Sequence, residues 1–285
     1  MQYHVIDVFT DKLFGGNPAG VVLLDQWLTD ATMQSIAAEN NISETAFLVK
    51  RDDYYELRWF TPTIEVDLCG HATLASAFVL FDELEKESSE LHFKTKSGIL
   101  RASRYIHPQS ASVNQYSDKD PLYIDLPARR AMPCPIYPAW EKALGFKPAA
   151  TYKASDFLVL AENEEAVRNI KPDFFTLREL KAEAGLESND FGTIVTARGD
   201  DCDFVSRFFA PNAGVDEDPV TGRAHCTLIP YWGYVTQKNL MTARQLSKRG
   251  GMLFCEYLDD NPEDGVCRVS IGGSAVRYLK GEFYV

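Results

Sequence analysis

Three short stretches of the chain place reactive side chains beside backbone turns. In "EVDLCGHATLASAF", residues 65–78, His71 directly follows Gly70 and leads a run of small apolar residues. Glycine permits a sharp turn, and the first N–H groups of a helix starting there form an anion site. His71 would add a hydrogen bond to that anion. In "NISETAFLVK", 41–50, Glu44 stands between a helix end and an apolar strand. A carboxylate at the mouth of a buried strand is partly desolvated, the setting of a general base. In "GVDEDPVTG", 214–222, three acids precede a second glycine-led helix start, and Pro219 restricts the backbone of Asp218. Each stretch also has a plain structural reading: a capping histidine, a solvated loop glutamate, acids complementing a helix dipole.

Other chemistries fit less well. Cys69 precedes Gly70 at a helix start, where a thiol pKa falls. A paired-thiol racemase needs a second cysteine at the matching place, but that place holds Thr221, and Cys226 lies deeper in its helix. Cys69 with His71, and His225 with Cys226, lack zinc-ligand spacing. "GGNPAG", 15–20, lacks the lysine and hydroxyl of a phosphate-binding loop. Neither a metal nor a nucleotide is expected.

The elements that position these residues are duplicated. "RWFTP" at 58–62 returns as "RFFAP" at 207–211, an offset of 149 residues. Upstream of each lies a polar turn with two aspartates ahead of an apolar run, the mark of a hairpin. Downstream, "CGHATL" (69–74) parallels "TGRAHCTL" (221–228). Four ordered features imply two similar halves, each a hairpin, a Pro-terminated strand, a loop and a central helix. The helical segments 71–83 and 224–234 are apolar on most sides, so a sheet should wrap each. Strands are expected at 3–10 and 19–25 and helices at 31–41 and 174–185. The halves are expected as 1–118, to which a last strand at 278–285 could return, and 119–277, facing one another across a cleft.

The 285 residues are 45% hydrophobic and 25% charged, ordinary for a globular protein, with net charge −12. No basic face is available for nucleic acid. Residues 1–20 do not read as a signal peptide, and no apolar run approaches membrane-spanning length. Six scattered cysteines read as reduced thiols, which places the chain in the cytoplasm.

"DVFT" (7–10), "GNPAGVVL" (16–23), "SETAF" (43–47), "FTP…CGHATLASA" (60–77), "FFAP…GVDEDPVTG" (208–222), "SKRGGML" (247–253) and the closing "GGSAVRYLKGEFYV" together resemble the phenazine-biosynthesis PhzF-like family over essentially the whole chain. The resemblance implies an α+β fold like that of diaminopimelate epimerase, two pseudo-symmetric domains each curling a mostly antiparallel sheet around a central helix. It also implies a cofactor-independent isomerase that moves a proton on a small carboxylic acid. Glu44 of "SET" would be the acid/base, with His71 and Asp218 as supporting catalytic groups and Asn17, Gly70, Gly222 and Arg223 binding substrate. Arg223 departs from the family pattern, which carries serine there. Turned inward, it should pair with Asp218, Glu217 or a ligand carboxylate. The expected partner is a small anionic substrate, with a homodimer left open. The alternatives are a thiol-based racemase using Cys69 and a non-catalytic binding member of the fold.

Overall fold

The computed structural model describes residues 1–104, 120–185, 191–258 and 267–285. The chain divides into two compact units, Met1–Leu126 with Ser270–Val285, and Pro127–Val269. The 118/119 break expected from sequence lies outside the described residues.

The first unit begins with β1 (Gln2–Val8), β2 (Asn17–Leu24), α1 (Asp30–Asn40), β3 (Glu44–Lys50), β4 (Tyr55–Phe60) and a short β5 (Glu65–Val66). There follow α2 (Gly70–Glu83), β6 (Glu90–Thr95), β7 (Gly98–Ser103) and β8 (Leu122–Pro127). The chain's last strand, β18 (Ala275–Glu282), pairs antiparallel with β1. β2 runs parallel to β3 through the crossover helix α1, and β4 runs parallel to β6 through the crossover helix α2. The other pairings are antiparallel.

α2 packs on β1, β2, β3 and β7. Nearly all of it is buried, from Gly70 to Phe81, because its small residues let strands approach on every side. α1 covers the opposite face through Met33, Ile36 and Ala37, against Val22, Phe47 and Phe60. A sheet covered on both faces needs unbroken apolar strands. The sequence "TAFLV" at 45–49, wholly buried, is one of them.

The second unit repeats this plan. Its elements are β9 (Met132–Pro133), α3 (Ala139–Leu144), β10 (Ala150–Lys153), β11 (Phe157–Leu160), α4 (Glu164–Arg168) and α5 (Phe174–Glu183). They continue with β12 (Thr193–Arg198), β13 (Phe204–Ala210), β14 (Val215–Asp218), α6 (Gly222–Thr236), β15 (Leu240–Gln245) and β16 (Gly251–Leu258), and β17 (Arg268–Gly273) leads back to the first unit. β10–β11 is antiparallel, β11–β12 parallel, β12–β13 antiparallel, β13–β14 short and antiparallel, and β13–β15 parallel. That is the order and sense of β1 to β6. The duplicated motifs therefore occupy equivalent places in two like sheets. α6 is buried from Ala224 to Ile229, but its last turn emerges, with Tyr234 80% exposed. The sequence reading had it apolar on most sides to residue 234.

Candidate active site

Parallel pairing explains why one end of the first sheet collects polar groups. Ala19 of β2 sits opposite Glu44 of β3, so the starts of both strands lie at the same edge. α2 also begins there, at Gly70 and His71. Asn17, Ser43, Glu44, Cys69 and His71 consequently gather around one imidazole.

His71 is 4% exposed. Its Nε2 lies 3.0 Å from Glu44 Oε2, an ion-pair distance whose alignment falls short of a hydrogen bond, so neither atom has a hydrogen-bond partner. On the other side of the ring, Nδ1 is 3.4 Å from Asn17 Nδ2 and 3.6 Å from Cys69 Sγ. Ser43 Oγ donates to Asn17 Oδ1 at 3.1 Å, which turns the amide's N–H toward the imidazole. With Asn17 donating, Nδ1 is an acceptor and the ring's proton sits on Nε2, facing Glu44. A second proton on the ring would have to point at the Cys69 sulfur.

Burial opposes charge on His71, but the facing Cys69 and Glu44 outweigh it, and its pKa is held well above the ordinary histidine value. Burial, reinforced by Glu44, raises the Cys69 thiol. Burial keeps Cys69 a neutral thiol near pH 7, which leaves Glu44 as the charge that draws the His71 pKa upward. The Glu44 side chain keeps 20% exposure, enough to meet a ligand.

Ligand atoms of Glu44, Cys69 and His71 lie within 4.8 Å of one another, close enough to suggest a metal centre. His71 turns Nε2 toward Glu44 and Nδ1 toward Cys69.

In the second unit, Asp218 ends β14 and accepts from Thr221 Oγ1 at 2.6 Å. Gln245, 1% exposed, clamps this turn by donating to Asp218 O (2.7 Å) and accepting from Thr221 N (2.9 Å). Ser247 Oγ donates to Pro219 O at 2.8 Å. The loop is fixed, as Pro219 suggested, but mostly by Gln245, which sequence reasoning missed. Gly70 and Gly222 are the first residues of α2 and α6, and neither helix is capped by its own N-cap side chain.

Arg223 does turn inward, but to a different partner from those expected. Its Nε and Nη2 form a fork onto Asp156 Oδ2 and Oδ1, at 2.9 and 3.0 Å. Glu217 is engaged by Arg207, and Asp218 by Thr221. Asp156 was missed because it lies 67 residues away in sequence, in a turn with no motif around it.

The profile described as "Phenazine biosynthesis-like protein" matches residues 6–281. The chain belongs to that family. An uncharacterized isomerase of Pseudomonas aeruginosa is 45% identical, across 99% of this chain and 97% of that protein. The human phenazine biosynthesis-like domain-containing protein is 37% identical, across 97% and 96%. A crystal structure of a PhzF-family protein from Enterococcus faecalis superposes with TM-score 0.87 at 44% identity, covering 100% of this chain and 99% of the other. A probable proline racemase from Agrobacterium radiobacter, 10% identical with TM-score 0.64, shares the fold. The α+β epimerase-like architecture stands on these neighbours together with the repeated sheets.

Proposed function

We propose that this protein is a cofactor-independent isomerase that moves a proton on a small carboxylic acid, with Glu44 as the acid/base. The observation that carries the reading is the 3.0 Å pairing of a part-exposed Glu44 with a buried His71 whose far side is fixed by Asn17. Glu44 takes a proton from a substrate carbon, and the electron pair left behind spreads toward the adjacent carboxylate. Glu44 then returns the proton, at another carbon or on the other face of the same one, so nothing is oxidised and no co-reactant is consumed. His71 holds the carboxylate in place and stabilises its charged form between turnovers. The N-terminus of α2 at Gly70 supplies donors suited to developing negative charge. The names of the bacterial relatives, uncharacterized isomerases, agree with this class of reaction.

The thiol reading has one observation in its favour, the Cys69–His71 approach at 3.6 Å. The upward shift of that thiol works against it, because the nucleophilic or basic form is the thiolate. A panel of small carboxylic acids incubated with the protein and followed by proton NMR tests the proposal. Glu44→Gln should abolish any isomerisation found, and thiol-blocking reagents should leave it. Loss of activity on thiol blocking, with Glu44→Gln unaffected, would transfer the role to Cys69.

A further inference from the structure

Among the described residues, three cations gather on the Ser155–Asp156 turn of the second unit around one carboxylate. Asp156 is fully buried, and four donors hold it: Arg223 Nε and Nη2, Gly192 N at 2.7 Å and Ser155 Oγ at 3.2 Å. A carboxylate so engaged cannot swing to neutralise anything else. Two further cations nevertheless converge on the same turn. Lys153 Nζ donates to Ser155 O at 2.8 Å, and Arg129 Nη1 donates to Ser155 Oγ at 2.6 Å. Neither Lys153 nor Arg129 forms an ion pair among the described residues, whereas Ser155 between them is exposed to solvent.

Lys153 shows what this arrangement costs. Its ammonium is half-buried, 4.1 Å from the centre of the Phe157 ring and 5.3 Å from that of Phe191. Burial lowers its pKa; Asp156 pulls it back up, and Arg223 pushes it further down. A partly desolvated cation beside other cations is unfavourable unless a counter-charge arrives. In a chain of net charge −12, two cations without an ion-pair partner among the described residues on one turn go against the general trend.

We propose that Arg129, Lys153 and Arg223, gathered on the Ser155–Asp156 turn, form a binding site for a small anion carrying two negative charges, a dicarboxylate or a phosphate group. Asp156 serves as the fixed post that orients Arg223. Arg129 and Lys153 supply the charge, the guanidinium as a planar fork and the ammonium as a point charge. The buried rings of Phe157 and Phe191 pack against the ammonium of Lys153 and hold it on the turn. This inference goes beyond the proton-transfer reading and stands without it.

Calorimetric titration of the whole protein with succinate, inorganic phosphate and acetate, each at low and high salt, tests the site. One of the two doubly charged probes should bind at least about tenfold more tightly than acetate and weaken as salt rises. The tighter of the two tells a dicarboxylate site from a phosphate site. Lys153→Gln and Arg129→Gln should each weaken that binding by about tenfold or more, as expected for losing a hydrogen bond to a charged group. Thermal melts of the variants confirm that they fold. The wild-type comparison of doubly and singly charged probes needs no variant. If succinate and phosphate bind no better than acetate, or if both folded variants bind as the wild type does, the proposal is wrong. Because binding is read without turnover, that failure would leave the role of Glu44 untouched.

Discussion

Asn17 shows how a residue with no acid or base of its own can set the chemistry of its neighbours. Its amide takes the Ser43 hydroxyl on one side and presents an N–H to His71 on the other. That fixes which imidazole nitrogen carries the proton facing Glu44. Asn17→Ala should therefore lower kcat more than it raises KM, by about 10- to 100-fold, the scale seen when an outer hydrogen-bond partner is removed. It should also shift the acid limb of the pH–rate profile, a change that a purely structural role would not produce. Steady-state kinetics across pH on whichever substrate the screen identifies would check both. Glu44 and His71 were singled out in the sequence from spacing and family resemblance, and the fold sets them 3.0 Å apart; Asp218, expected to act with them, sits on its own turn in the second unit. Ser43 was seen only as a flank of Glu44, and its role as the clamp on Asn17 depends on a contact across 26 residues.

At the scale of elements, the two units use one plan for different ends. Thr45 and Thr193 pair with Phe60 and Phe209 respectively, so the register places Gly192 where the first unit has Glu44. Gly20 opposes Thr45 and Phe157 opposes Thr193, which sets Asp156 at the place of Ala19. Each central helix thus carries a basic residue in its first turn facing a carboxylate, but the carboxylate comes from a different strand. In the first unit the pair is a histidine and a glutamate, able to exchange a proton. In the second it is an arginine, permanently charged, locked to a buried aspartate. Motif matching could find the duplication, and it could not find this exchange, because register is decided by pairing that the sequence does not display. A side chain at 192 is also excluded sterically: its Cβ would come within 2.1 Å of the buried Phe208 ring. Gly192→Ala should destabilise the protein by about 1–3 kcal/mol, the usual range for overpacking. Urea unfolding would show an unchanged midpoint if Phe208 can simply step aside, which would argue against a rigid packing there.

For the whole molecule, buried histidines set opposing pH slopes. Burial holds His225 down to about 4, with its contact to Thr221 O only partly offsetting this, and burial likewise lowers His4. An unfolded histidine takes up its proton near pH 6.5, so the unfolded state gains protons first as pH falls. Stability from His225 is complete above about pH 6.5 and is lost as pH drops toward 4, by about 3 kcal/mol in all. His71 acts in the opposite sense: its contribution is complete below about pH 6.5 and is lost as pH rises through its elevated folded value. Melting temperature should decline on both sides of an optimum near neutrality. His225→Gln should flatten the acid side between pH 6.5 and 4; an unaltered acid limb would show that other groups dominate it. The fold at this scale was the most legible part of the sequence, because the 149-residue repeat, the strand patterning and the family motifs all pointed the same way. Less legible was where charge would be neutralised, since Asp156, Lys153 and Arg129 come together only through folding.

Hydrogen exchange at carbon tests the central claim, that Glu44 moves a proton to and from a carbon atom. The small carboxylic acids of the panel are incubated in deuterium oxide with wild type, Glu44→Gln and Cys69→Ser, and deuterium at carbon is read by mass spectrometry. The account predicts incorporation into at least one acid with wild type and Cys69→Ser, and none above background with a folded Glu44→Gln. Incorporation that survives Glu44→Gln and disappears with Cys69→Ser would contradict it, as would the absence of exchange in every acid that the wild type binds.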